Sequence, residues 1–191
     1  MARVVKIKNR NNGRKKKALR LLVILIAVLV LMDVIFFAVY SNSKSSSNDG
    51  DYNPVINSSD FSTKIDNQYF SLVPKTRYIY EGETEDGMER NEVYVMSETK
   101  EVMGVETRVV WDRVWLNNEL IEETYDWYAQ DKEGNVWYFG EDSREILDGK
   151  IVNYDGSWEA GIDGALPGII MKANPKVGDE YKQEYYEGEA E

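Results

Sequence analysis

Residues 21–40 (LLVILIAVLVLMDVIFFAVY) carry a single charge, Asp33. That run limits what the chain can be more than any other feature. At about 1.5 Å of rise per residue, a helix of this length spans the roughly 30 Å hydrocarbon core of a bilayer and satisfies its own backbone groups there. Nine basic residues precede it (Arg3, Lys6, Lys8, Arg10, Arg14, Lys15, Lys16, Lys17 and Arg20), with no acid among residues 1–20. Such a bias holds the N-terminus in the cytoplasm. The expected organisation is a basic cytoplasmic tail (1–20), a single-pass transmembrane signal anchor (21–40) and an extracellular remainder. A cleaved signal peptide is the alternative, with Val39 and Ser41 small enough to flank a cleavage site, but signal h-regions usually run only about 7–15 residues.

Asp33 is the one polar residue in the span. A carboxylate there costs roughly 2.5–3.5 kcal/mol, which strongly apolar flanks can carry. A polar contact with a partner helix is the rival reading. For the basic tail, attraction to an anionic inner leaflet is explanation enough, and no aromatic or motif signal points to nucleic acid.

The net charge of -11 hides a division. Residues 41–191 hold 14 basic and 33 acidic residues, a net of -19 on the outer side alone. There is no cysteine and no histidine. Disulfides, thiolate chemistry and every nucleophile that needs an imidazole are therefore absent.

Residues 41–66 are rich in Ser, Asn, Asp and Gly without sustained apolar periodicity, and they read as a flexible linker. Asn57-Ser58-Ser59 matches a glycosylation acceptor, a tripeptide common by chance. An extracellular β-domain is expected over 67–191. Short runs rich in Val, Ile, Tyr and Trp (77–82, 92–97, 106–112, 113–116, 120–129, 136–139, 157–160, 169–172, 180–186) alternate with turn signals. Asn117-Asn118 and Asp148-Gly149 are tight hairpin signals, the second of type I′ character with 146–147 and 151–152 beside it. Turns this frequent predict a mainly β fold: an antiparallel, strongly curved sheet or open half barrel.

Three stretches resemble an uncharacterised family of bacterial secreted or membrane-anchored β-domains. They are NQYFSLVPKTRYIYEG (67–82), DWYAQDKEGNVWYFGED (126–142) and GSWEAGIDGALPGIIMKANPKVGDEYKQEYYEGEAE (156–191). The resemblance implies a fold and a location and brings no assigned activity. In its opening signature the family has Pro, Gly and Trp where this chain has Ser71, Lys75 and Tyr78. Family members also continue through further strands beyond the point matching Glu191, which implies a C-terminally short domain with an exposed sheet edge.

Candidate chemistry follows from the acids and the rings. Asp126, Asp131, Glu141 and Asp142 could furnish oxygen ligands for Ca²⁺, although the DKEGN segment departs from EF-hand spacing; solvated turns are the plainer reading. Paired carboxylates among them could serve a glycosidase. Trp127, Tyr128, Trp137, Tyr138 and Trp158, with Trp111, Trp115 and Phe139, could line a groove for carbohydrate, lipid or peptide or simply stabilise the sheet through cross-strand pairs. The favoured reading is a non-enzymatic surface domain that binds an envelope component or a partner protein. An apolar-ligand half-barrel carrier and a carbohydrate-active enzyme are the alternatives.

Overall fold

A computed structural model describes residues 52–186. The apolar run, Asp33 and the basic tail lie outside the described residues. Among those described, no helix is long and apolar enough to cross a membrane.

Among the described residues, the first regular element is a 3₁₀ turn, Ser58–Asp60. Short strands β1 (Phe61–Ser62), β2 (Ile65–Asp66) and β3 (Ser71–Leu72) follow. The long meander is β4 (Arg77–Thr84), β5 (Gly87–Val102), β6 (Val105–Leu116), β7 (Glu119–Asp131) and β8 (Val136–Leu147), each antiparallel to the next. Beyond it come β9 (Lys150–Asn153), β10 (Trp158–Glu159), β11 (Leu166–Met171) and β12 (Glu184–Tyr185). The main sheet runs β12-β11-β8-β7-β6-β5-β4, with β1 on β7, β9 and β10 on β8, and β2 paired to β3 apart from it. It is a strongly curved, antiparallel half barrel, as the sequence predicts.

Three hairpins are type I′, with both central residues left-handed: Met103-Gly104 (φ 53° and 75°), Asn117-Asn118 (51° and 67°) and Asp148-Gly149 (52° and 70°). Bulges supply the curvature. In β5, residues 96–98 face the single residue Val109 on β6. The buried guanidinium of Arg108 fills the bulge, donating from Nη1 to the carbonyls of Met96 (3.3 Å), Ser97 (2.9 Å) and Glu98 (3.4 Å). In β8, Phe139 and Gly140 together face Trp127. A Cβ on Gly140 would stand 2.3 Å from the Trp158 carbonyl oxygen, at φ 129°, so only glycine fits.

One end of the barrel is packed with rings. Tyr128 stacks on Tyr138 at 4.9 Å, Trp158 and Phe70 meet that pair edge-on, and Phe61 does the same against Phe139 and Trp137.

The expected linker is corrected here, because its second half belongs to the fold. Ile65 is 2 % exposed. Phe61 packs on the core, β1 pairs with β7, and the Tyr52 hydroxyl donates to the Pro167 carbonyl at 2.8 Å. Ile56, Phe61 and Ile65 are too irregularly spaced among Ser and Asn to read as a strand pattern. Other expected strands changed length: that at 92–97 grows to Gly87–Val102, and those at 106–112 and 113–116 merge into Val105–Leu116. The run at 136–139 continues to Leu147, while that at 180–186 shrinks to two residues.

Candidate functional site

The register assigns every side chain of the meander to one of two faces. Along the outer face run the rows Arg77, Tyr94, Trp111, Tyr125, Asp142 and Ile79, Glu92, Arg113, Glu123, Arg144. Along the inner face run Val95, Val110, Asp126, Glu141, Trp158; then Tyr78, Val93, Asp112, Thr124, Ser143; then Tyr80, Asn91, Val114, Glu122, Glu145. Val95, Val110, Val114, Thr124, Asp126 and Ser143 are all buried, which marks that face as the inside of the curve.

The inner face is apolar and aromatic toward Tyr128 and acidic away from it. Asp126 stands directly opposite Glu141, and Glu122 directly opposite Glu145. Like charges so placed repel, but burial is the larger reason that Glu122, Asp126 and Glu141 are raised. Burial pushes the Asp112 carboxyl up to about 6, against the pull of the Asn91 amide that donates to it at 2.8 Å. Burial, then the charge of Asp112, raises Glu122 to about 7. Burial, then Glu184, raises Glu141 to about 8. Asp126 is held well above the usual carboxylate range by burial and by Glu141, although the Tyr138 hydroxyl donates to it at 2.8 Å. Among the described residues, no lysine or arginine forms an ion pair with Asp112, Glu122, Asp126 or Glu141.

The outer face handles its acid differently. Glu92, with its side chain 5 % exposed, receives Arg77 at 3.2 Å, Arg90 at 2.8 Å and Arg113 at 2.8 Å. Burial pushes this carboxyl up, but the hydrogen bond from Arg90 and the three positive charges outweigh it and hold it low. The arginines in turn lie over rings: Arg113 is 3.8 Å from the Trp111 centroid and Arg144 is 4.9 Å from that of Tyr125.

Two acceptors on the inner face lack donors. Asn91, 7 % exposed, leaves Oδ1 without a hydrogen-bond partner, and so does Glu89 with Oε2. The buried indole Nε1 of Trp158 is likewise unpaired. Groups of this kind cost free energy where they are left unmade.

The residues singled out from sequence are only partly gathered: Trp127, Glu141, Asp142 and Trp158 line one open cavity with Lys100 and Glu159, and the others lie elsewhere. Of the four candidate calcium ligands, Asp126 and Glu141 meet on the inner face, whereas Asp142 lies on the outer face against Arg144 at 2.6 Å. Asp131 is occupied as a turn cap, accepting from the Asn135 backbone and side chain and from Trp137 Nε1, each at 2.8 Å. No three acidic side chains among the described residues are placed to hold one metal ion. The rings divide too. Tyr128, Tyr138 and Trp158 sit on the inner face, Trp127 is buried on the opposite face of β7 with Lys100 Nζ 3.2 Å from its centroid, and Trp137 packs on Phe61. They build the core more than they line a groove. Sequence reading missed Asp112, Glu122, Asn91 and Glu89, which only the strand register brings together.

No family model, curated protein or solved structure matches the chain.

Proposed function

We propose that this is a membrane-anchored, extracellular, non-enzymatic binding domain whose acidic inner face receives a positively charged segment of a partner protein. The observation that carries the reading is a set of carboxylates without cationic partners among the described residues, next to the buried, unpaired Oδ1 of Asn91. Lysine or arginine side chains would supply the missing donors and replace the protons these acids retain. The anchor reading rests on residues 21–40 and the basic tail before them. Location and fold type also agree with the resemblance of residues 67–82, 126–142 and 156–191 to anchored β-domains.

The alternatives are less well supported. An apolar-ligand carrier calls for a greasy lining, and Asp112, Glu122, Asp126 and Glu141 occupy that position. A carbohydrate-active enzyme would centre on Asp126 and Glu141, yet Asp126 is only 8 % exposed.

Calorimetric titration of the full chain with a tetralysine peptide at pH 6, 7 and 8 tests the proposal. Affinity is expected to rise with pH as the acids give up protons, and to fall with added salt. The double variant Asp112→Asn/Glu122→Gln should weaken binding by about tenfold or more, equivalent to the loss of one or two charge-assisted hydrogen bonds. Absence of binding at pH 8, or binding indifferent to the double variant, refutes it.

A further inference from the structure

Strand β4 forms one edge of the main sheet, and from Arg77 to Glu83 every residue but Tyr78 is exposed. Val95 donates its backbone N–H to the Thr76 carbonyl. Counting by twos from that bond, Tyr78, Tyr80 and Gly82 direct their backbone groups toward β5. Arg77, Ile79, Glu81 and Glu83 direct theirs to the open edge. An edge of this length is a template for another strand unless its side chains repel one.

The side chains here attract a particular strand, namely the same one running the other way. We propose that β4 pairs antiparallel with β4 of a second copy, about a two-fold axis at Ile79. In that register Ile79 faces Ile79, Arg77 faces Glu81 on both sides of the axis, and Tyr78 faces Tyr80 on both sides. The outward-directed backbone groups of residues 77, 79 and 81 then bond to one another. Arg77 and Glu81 meet their opposites across the axis, in addition to their partners Glu92 and Arg90 within the chain, so the sequence RYIYE is complementary to itself when reversed. A protective edge would carry charges of one sign and repel a copy. Ile79 and Tyr80, 51 % and 56 % exposed, lose their contact with water in the pair. Interfaces made by one strand are small, so pairing gains from confining both copies to one membrane, where effective concentration is high. Confinement rests on the anchor reading of the proposed function; the acidic inner face does not enter this argument, so the binding reading and the pairing can fail separately.

The chain has no cysteine, so single cysteines report without interference. Full chain carrying Ile79→Cys, held in membranes under mild oxidation, should cross-link to a dimer, because directly opposed residues lie within disulfide reach. Glu83→Cys is the control. In this register two copies of residue 83 are eight strand positions apart, about 27 Å at 3.4 Å per residue, and should cross-link at least about tenfold less. Independently, Arg77→Glu should abolish the dimer and Arg77→Glu/Glu81→Arg should restore it, with tryptophan fluorescence confirming that each variant is folded. Equal cross-linking at both cysteines, or charge reversal without effect on a folded protein, overturns the proposal.

Discussion

Replacing Glu122 by glutamine tests the protonated state of the inner face directly. Glutamine keeps the size of the side chain and the acceptor that Thr124 Oγ1 reaches at 3.5 Å, and it removes only the charge. The folded carboxyl sits at about 7 against an ordinary 4.5. That difference corresponds to a ceiling of about 3.4 kcal/mol; partial access to water brings the expected effect to about 2 kcal/mol. The sign follows from linkage. A raised folded-state value means that the folded protein binds the proton more tightly, so stability is fully present below the unfolded value and is lost as pH rises through the folded one. Wild type therefore weakens between about pH 4.5 and 7, whereas the variant lacks this contribution to the decline. All five tryptophans (Trp111, Trp115, Trp127, Trp137 and Trp158) lie in the β-domain, so the fluorescence of the full chain reports on that domain alone. In urea at pH 8 the variant's midpoint should rise by about 1 M, for a slope of roughly 2 kcal/mol/M. At pH 4 the two midpoints should coincide. Equal shifts at both pH values, or destabilisation at pH 8, would refute the reasoning.

Two further substitutions probe other parts of the fold. Lys75 follows Pro74 in a turn closed by Thr76 N–H on the Val73 carbonyl at 3.1 Å, and it holds φ 69°, the type II position that glycine favours. Lys75→Gly should therefore stabilise the domain by about 0.5–1 kcal/mol, the relief of left-handed strain less the entropy glycine loses, read as a higher urea midpoint. Glu92→Gln strands three arginines. Because the folded carboxyl is held low, its contribution is present above the unfolded value near 4.5 and fades as pH falls. Chemical unfolding should show a loss of about 2–3 kcal/mol at pH 7 and a much smaller one at pH 3.

The hairpins were legible because their turns are local. Asn117-Asn118 and Asp148-Gly149 need left-handed backbone, and those residue types announce it. The faces of β7 were not. A plain hairpin through Asn117-Asn118 pairs Leu116 with Glu119 and would set Asp112 opposite Glu123. The bulge at Ile121, between the pairs Trp115–Leu120 and Val114–Glu122, moves Asp112 to Thr124 instead, and with it every later residue of β7 to the other face. One extra residue thus decides whether Asp126 looks inward beside Asp112 or outward beside the arginines. Met103-Gly104 was missed as a turn because methionine is an unusual residue at φ 53°. The lysine at 75 is a second such case, since φ 69° is a conformation that glycine takes freely and a lysine does not announce.

On the outer face, Arg77, Arg90, Arg113 and Arg144 are matched by Glu81, Glu92, Glu123 and Asp142. Four charges of each sign, pinned by rings and ion pairs, make that side of the sheet close to neutral at short range. The acids without cationic partners lie on the other side, so as pH rises past about 8 and Asp112, Glu122 and Glu141 give up their protons, the meander becomes electrically polarised across its own thickness. A cation diffusing toward the meander would feel attraction that strengthens toward one side, and the sheet would turn that side to meet it before any contact forms.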